Sequence, residues 1–155
     1  MASEFSQMFV YDHWANHEVA LALRGVKTPV PKSLKLYAHM LAAQETWLAR
    51  LKSAHTDIPI WPAWTLQECE RISGEVKQHW HKYFLNFSPA HLLHSVAYRT
   101  SKGEAFHNKV GEILMHVLLH SAHHRGQILM DLRATGHAPP HVDYIHHIRH
   151  AQPHL

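Results

Sequence analysis

One cysteine, Cys69, stands alone in 155 residues. No disulfide can close within the chain, and a reducing compartment is expected. The residue itself reads as a half-buried helix position rather than a reactive thiol. Long apolar runs are missing too: no segment approaches the roughly 20 residues a membrane-spanning helix needs. The opening "MASEFSQMFVYDHWANHE" interleaves acidic, polar and apolar residues. It lacks the basic stretch and unbroken apolar stretch of a signal peptide. Blocks of one charge are also absent. The 15 Lys and Arg and 12 Asp and Glu are scattered, so nothing tracks a phosphate backbone. A cytoplasmic protein with neither a membrane nor a nucleic acid as partner is the expectation. What remains is 46% hydrophobic and 17% charged, the balance of a globular chain. Residues 1–155 are enough for one domain with a substantial core.

Four segments carry helical periodicity. The first spans about 4–23, with Met8, Tyr11, Ala15, Val19 and Ala22 on one stripe and Gly25 as a stop. The second spans about 31–53. Pro31 suits its first turn, and Leu36, Met40, Ala43, Trp47 and Leu51 form its stripe. After the loop "AHTDIPIWPAW", Thr65 stands three residues before Glu68, a capping-box spacing that opens a third helix over about 66–87. The fourth spans about 110–134 and ends at "TGHAPP", with Gly136 at the cap. Between the third and fourth, "SVAYRTSKGEAFHNKV" alternates like a hairpin or an irregular crossover around "SKGE". The tail "HVDYIHHIRHAQPHL" has room for one short turn. The fold class read from this pattern is all-α, a four-helix bundle with a long crossover between helices 3 and 4.

Histidine is the anomaly, at 19 residues. Random placement at that frequency gives roughly two pairs spaced His-x-x-x-His, so the spacing alone is a weak signal. The chain has six: 13/17, 116/120, 120/124, 137/141, 146/150 and 150/154. Projected on a helical wheel, only the 120/124 pair falls in an apolar stripe, with Val110, Ile113, Val117, Ser121 and Ile128. His116 and His123 rotate to its margin, and Arg125 and Gly126 point elsewhere. Two imidazoles one turn apart can share a cation, or they can be a hydrogen-bonded core pair. His39, beside the stripe of the second helix, is the candidate third donor.

The string "HVLLHSAHHRGQILMDLRATGHAPPHVDYI" resembles the signature of the DinB/YfiT-like metal-binding bundles. The likeness extends to "YDHWAN" and "AHMLAAQETWLARL" and covers nearly the whole chain. It implies an up-down-down-up bundle that holds nickel or zinc through His39, His120 and His124. It gives His116 and His123 supporting or packing positions around those ligands, and Arg125 and Gln127 polar contacts that orient the helix. Similar proteins are often homodimers, and some share their fold with thiol transferases and thiol-dependent isomerases. The resemblance thus implies a low-molecular-weight thiol or another small molecule as substrate, with metal-dependent transfer, isomerisation or hydrolysis. It assigns no catalytic residue. Trp47 and Tyr11 are candidate pocket walls or plain core, and Glu45 is a candidate base or an exposed helical glutamate. "IPIWPAW" is either a subunit interface or a cap. The rival reading is a non-enzymatic metal-binding or stress-related bundle whose His-rich tail buffers metal.

Overall fold

A computed structural model describes residues 2–151. His154, and with it the 150/154 pair and the end of the tail, lies outside the described residues. The chain runs through α1 (Ala2–Arg24), α2 (Pro31–Leu51) and α3 (Leu66–Phe84). A 3-10 turn (Pro89–Leu93) and two strands, β1 (Ser95–Arg99) and β2 (Ala105–Lys109), then lead to α4 (Val110–Ala134) and α5 (Tyr144–Ala151). The protein is mainly helical. It is not purely so, because β1 and β2 pair antiparallel, with Ala97 opposite His107. Gly103, at φ +82°, supplies the left-handed position that closes their turn.

Local signals place the helix ends. Thr65 and Glu68 form the capping box that their spacing predicts: the Thr65 hydroxyl accepts from the Glu68 amide at 3.2 Å, and the Glu68 carboxylate accepts from the Thr65 amide at 2.7 Å. α3 closes at Phe84, short of the expected residue 87. Pro89 forces Ser88 into extended backbone (φ −117°, ψ 162°), and the chain leaves the helix before it. α4 ends with Gly136 at φ +81° and the His137 amide donating back to the Leu132 carbonyl at 2.8 Å.

Each long helix packs on two others: α2 on α4 and α3, and α1 on α3 and α4. Trp80, Tyr37, Phe9, Met40, Leu41, Leu114, Ile128 and Leu132 fill the space between them. Through the same space runs a buried polar chain. Asp12 accepts from the amides of Asn16 (3.1 Å) and Gln44 (2.7 Å) and is ion-paired with Arg125. The Arg125 guanidinium also donates to Asn16 and to Ser121, both at 2.9 Å. One cluster therefore ties α1, α2 and α4 at a single level, and it sets the rotation of α4 about its own axis.

Candidate metal centre

His39 projects from α2 toward α4, where His120 and His124 follow one another by one turn. His39 is buried at 7% exposure, and the other two are half-buried. The Nε2 atoms of His39 and His120 are 3.1 Å apart, and those of His120 and His124 are 3.2 Å apart. One ring nitrogen from each lies within 4.8 Å of the other two. Tetrahedral coordination with zinc–nitrogen bonds of ~2.05 Å separates ligands by roughly 3.3 Å, so this spacing suits one divalent ion.

Protonation strengthens that fit. The His39 Nδ1 lies 2.7 Å from the Ile60 carbonyl, which can only accept, so Nδ1 carries the hydrogen and Nε2 presents a lone pair. The His124 Nδ1 donates to the Gln127 side-chain oxygen at 2.6 Å, which leaves its Nε2 bare as well. His120 can donate to only one of them. Charging His120 or His39 offers no escape. Burial, then the facing His124 and His39, pushes the His120 pKa down to about 3, and burial also lowers that of His39. Imidazoles with converging Nε2 atoms, two of them turned by a hydrogen bond at the far nitrogen, are what a cation requires.

The loop between α2 and α3 completes the setting. The Trp61 indole stacks flat on His39, with ring centres 3.8 Å apart and planes inclined by 13°. "IPIWPAW" thus folds over the histidine, fixing its tautomer with one residue and its plane with the next. On the other side the triad opens into a cleft of about 350 Å³. Its lining includes His39, His120, Trp47 and Arg50, with Tyr98 and Phe106 of the hairpin.

A family model described as the DinB family matches residues 26–155. The chain belongs to the DinB family. No curated protein matches it. The match starts after α1, so "YDHWAN" lies outside the matched residues.

Within this DinB-family chain the structure corrects several expectations from the sequence. Arg125 does not point away from the core; it is 3% exposed. The buried face of α4 also takes in Leu114, Leu118 and Leu132, so it is centred nearer Arg125 than the wheel reading placed it. His120 and His124 consequently lie on the margin of that face, where an ion can be reached from the cleft. His116 and His123 are exposed. The first packs on Trp47 (5.0 Å) and His120 (5.6 Å), the second on His124 (5.1 Å). Tyr11 is not a cleft wall: its hydroxyl donates to the Val142 carbonyl at 2.7 Å and secures the C-terminal segment. Glu45 faces α3, 2.9 Å from His79 and in a different cavity, so it offers no base at the triad. The Ile60 carbonyl and Trp61 had no sequence signal beyond an apolar loop.

Removing the Trp61 ring frees one face of His39. Trp61→Ala is expected to weaken metal affinity by about 10–100-fold, the usual effect of losing a support around a metal ligand. Competition with a chromogenic chelator measures it, and unchanged affinity would refute a supporting role for the indole.

Proposed function

We propose that His39, His120 and His124 hold one divalent ion, nickel or zinc. On this reading the protein is a metal-dependent enzyme acting on a small molecule admitted through the cleft. The single observation that carries it is the convergence of three ring nitrogens, two of them from histidines that line that cleft. Three protein ligands leave a coordination position open, the pattern of catalytic rather than structural sites. When bound there, such an ion acts as a Lewis acid and lowers the pKa of a ligated water or thiol.

The protein's own residues do the rest. Ile60 and Gln127 hold the His39 and His124 rings in the tautomer that exposes Nε2, and Trp61 screens His39 from water. The reaction class is thiol-dependent transfer or isomerisation, or hydrolysis. The chemistry of an open imidazole site and the family resemblance support it. We further propose a single domain with its long helices up-down-down-up, a homodimeric assembly and a cytoplasmic setting. The 3-10 turn and hairpin, which supply a long crossover between α3 and α4, support the topology. Among the described residues no helix is long and apolar enough to cross a membrane.

Metal content per chain decides between this and the non-enzymatic reading. Elemental mass spectrometry on untagged protein should find about one nickel or zinc in the wild type. That ion should be lost in His39→Ala, His120→Ala and His124→Ala alike. Several weakly held ions whose number ignores His39 would instead mark a metal buffer seated on the tail, where the ring centres of His141, His146 and His150 follow one another at 4.4 and 4.1 Å.

A further inference from the structure

The cleft has a second chemical end. Ala43, Thr46 and Arg50 follow His39 by four, seven and eleven residues on α2. Each returns to within about 40° of His39 on the helix wheel. All four line the cleft. Eleven residues are about 16 Å of helix rise. Long helical side chains lean back toward the N-terminus, which brings the guanidinium to on the order of 10 Å from the imidazoles.

Arg50 is held but not neutralised. Its Cζ lies 4.4 Å from the centre of the Trp47 ring and 5.1 Å from that of Tyr98, and Nη2 donates to the Arg99 carbonyl at 3.2 Å. Arg24, Arg71 and Arg125 each pair with a carboxylate; among the described residues Arg50 pairs with none. Burial works against its charge, so an anion entering the cleft relieves a half-buried cation with donors to spare. The two rings and one carbonyl fix the plane of the guanidinium, which makes bidentate capture geometrically ready. Between the two ends the wall is apolar, supplied by Trp47, Ile60 and Phe106, and the hairpin turn adds the hydroxyl-bearing Ser101.

We infer that Arg50 anchors a carboxylate at the far end of the substrate. The cleft then takes an extended small molecule with a metal-ligating group at one end and a carboxylate at the other. One guanidinium matches a singly charged carboxylate better than a phosphate, which calls for more than one cation or a cradle of amides. This deepens the function proposed above and rests on it for the metal end alone.

Isothermal titration calorimetry on the zinc-loaded protein tests it with mercaptohexanoate, mercaptohexanol and hexanoate. Mercaptohexanoate should bind about tenfold tighter than the alcohol. Arg50→Gln should erase that preference, and Arg50→Lys should keep part of it. Ser101→Glu sets a competing carboxylate on the cleft wall, two residues past Arg99, whose carbonyl holds the Arg50 guanidinium. It should reproduce the loss with Arg50 intact, even if Arg50→Gln folds poorly. Equal binding of acid and alcohol by the wild type would overturn the inference, as would a preference that survives Ser101→Glu, or no binding of any probe. Hexanoate binding that depends on Arg50 in metal-free protein, beside a mercaptohexanol that ignores zinc, would retain the anchor while the thiol reading fails.

Discussion

Asp12→Ala is expected to destabilise the protein by about 3–5 kcal/mol, because it strands the Arg125 guanidinium without its counter-ion. Asp12 is 0% and Arg125 3% exposed, so water cannot replace the lost carboxylate. Asn16 and Gln44 lose an acceptor at the same time, and each orphaned buried donor adds to the loss. For a chain of this length the effect corresponds to a fall in melting temperature on the order of 10 °C. The double variant Asp12→Leu/Arg125→Met should be less damaged than Asp12→Ala. Removing both charges eliminates the desolvation penalty that a single deletion exposes. Calorimetric melting of wild type, Asp12→Ala and the double variant decides the matter. A loss under about 1 kcal/mol in Asp12→Ala would mean that the pair contributes nothing beyond its neighbours.

Acid should weaken the fold, with His13 responsible for much of the slope. Burial is the main cause that pushes its pKa from 6.5 down to about 4. Asp12 opposes the shift and Lys77 adds to it. Its Nε2 is buried with no hydrogen-bond partner among the described residues. The unfolded chain therefore binds a proton between pH 6.5 and 4 that the native chain refuses, so stability falls as pH falls through that window. At about 1.4 kcal/mol per tenfold change in proton affinity, the full effect is about 3 kcal/mol near pH 4 and nil above pH 7. His39 and His120 contribute with the same sign in metal-free protein, so the decisive quantity is a difference. His13→Leu should lose about 3 kcal/mol less than the wild type between pH 7 and pH 4. Parallel pH–stability curves from urea unfolding would show that His13 is not the group that resists its charge.

Much of this molecule was written in local pattern. The four long helices follow from apolar spacing, the start of α3 from Thr65 and Glu68, and the end of α4 from Gly136. These signals act within a turn or two of chain and survive whatever packs against them. The triad was partly legible: His120 and His124 are one turn apart on any helix, whereas His39 is 81 residues away from His120 and came from the family pattern. The burial of Arg125 was hidden from the wheel, and only the family pattern gave it polar contacts that orient the helix. Its counter-ion is 113 residues distant, and a wheel drawn on apolar residues alone treats a cation as solvent-facing whether or not a carboxylate waits inside. The hold on His39 was equally invisible, because it comes from the Ile60 backbone carbonyl, an atom every residue possesses. The anion end of the cleft stands on one helix stripe, but Arg50 became conspicuous only once Trp47 and the hairpin were seen to enclose it.

Cys69 proved more enclosed than half-buried: it is 0% exposed, and burial, with Glu68 and Glu70 beside it, pushes its thiol up to about 12. A thiol so placed is neither nucleophile nor ligand at neutral pH. The protein therefore gives a silent background for thiol chemistry. Disulfide-exchange dyes added to a folded sample will report only on thiols supplied from outside the chain. The loss of an added thiol can then be followed without a correction for the protein.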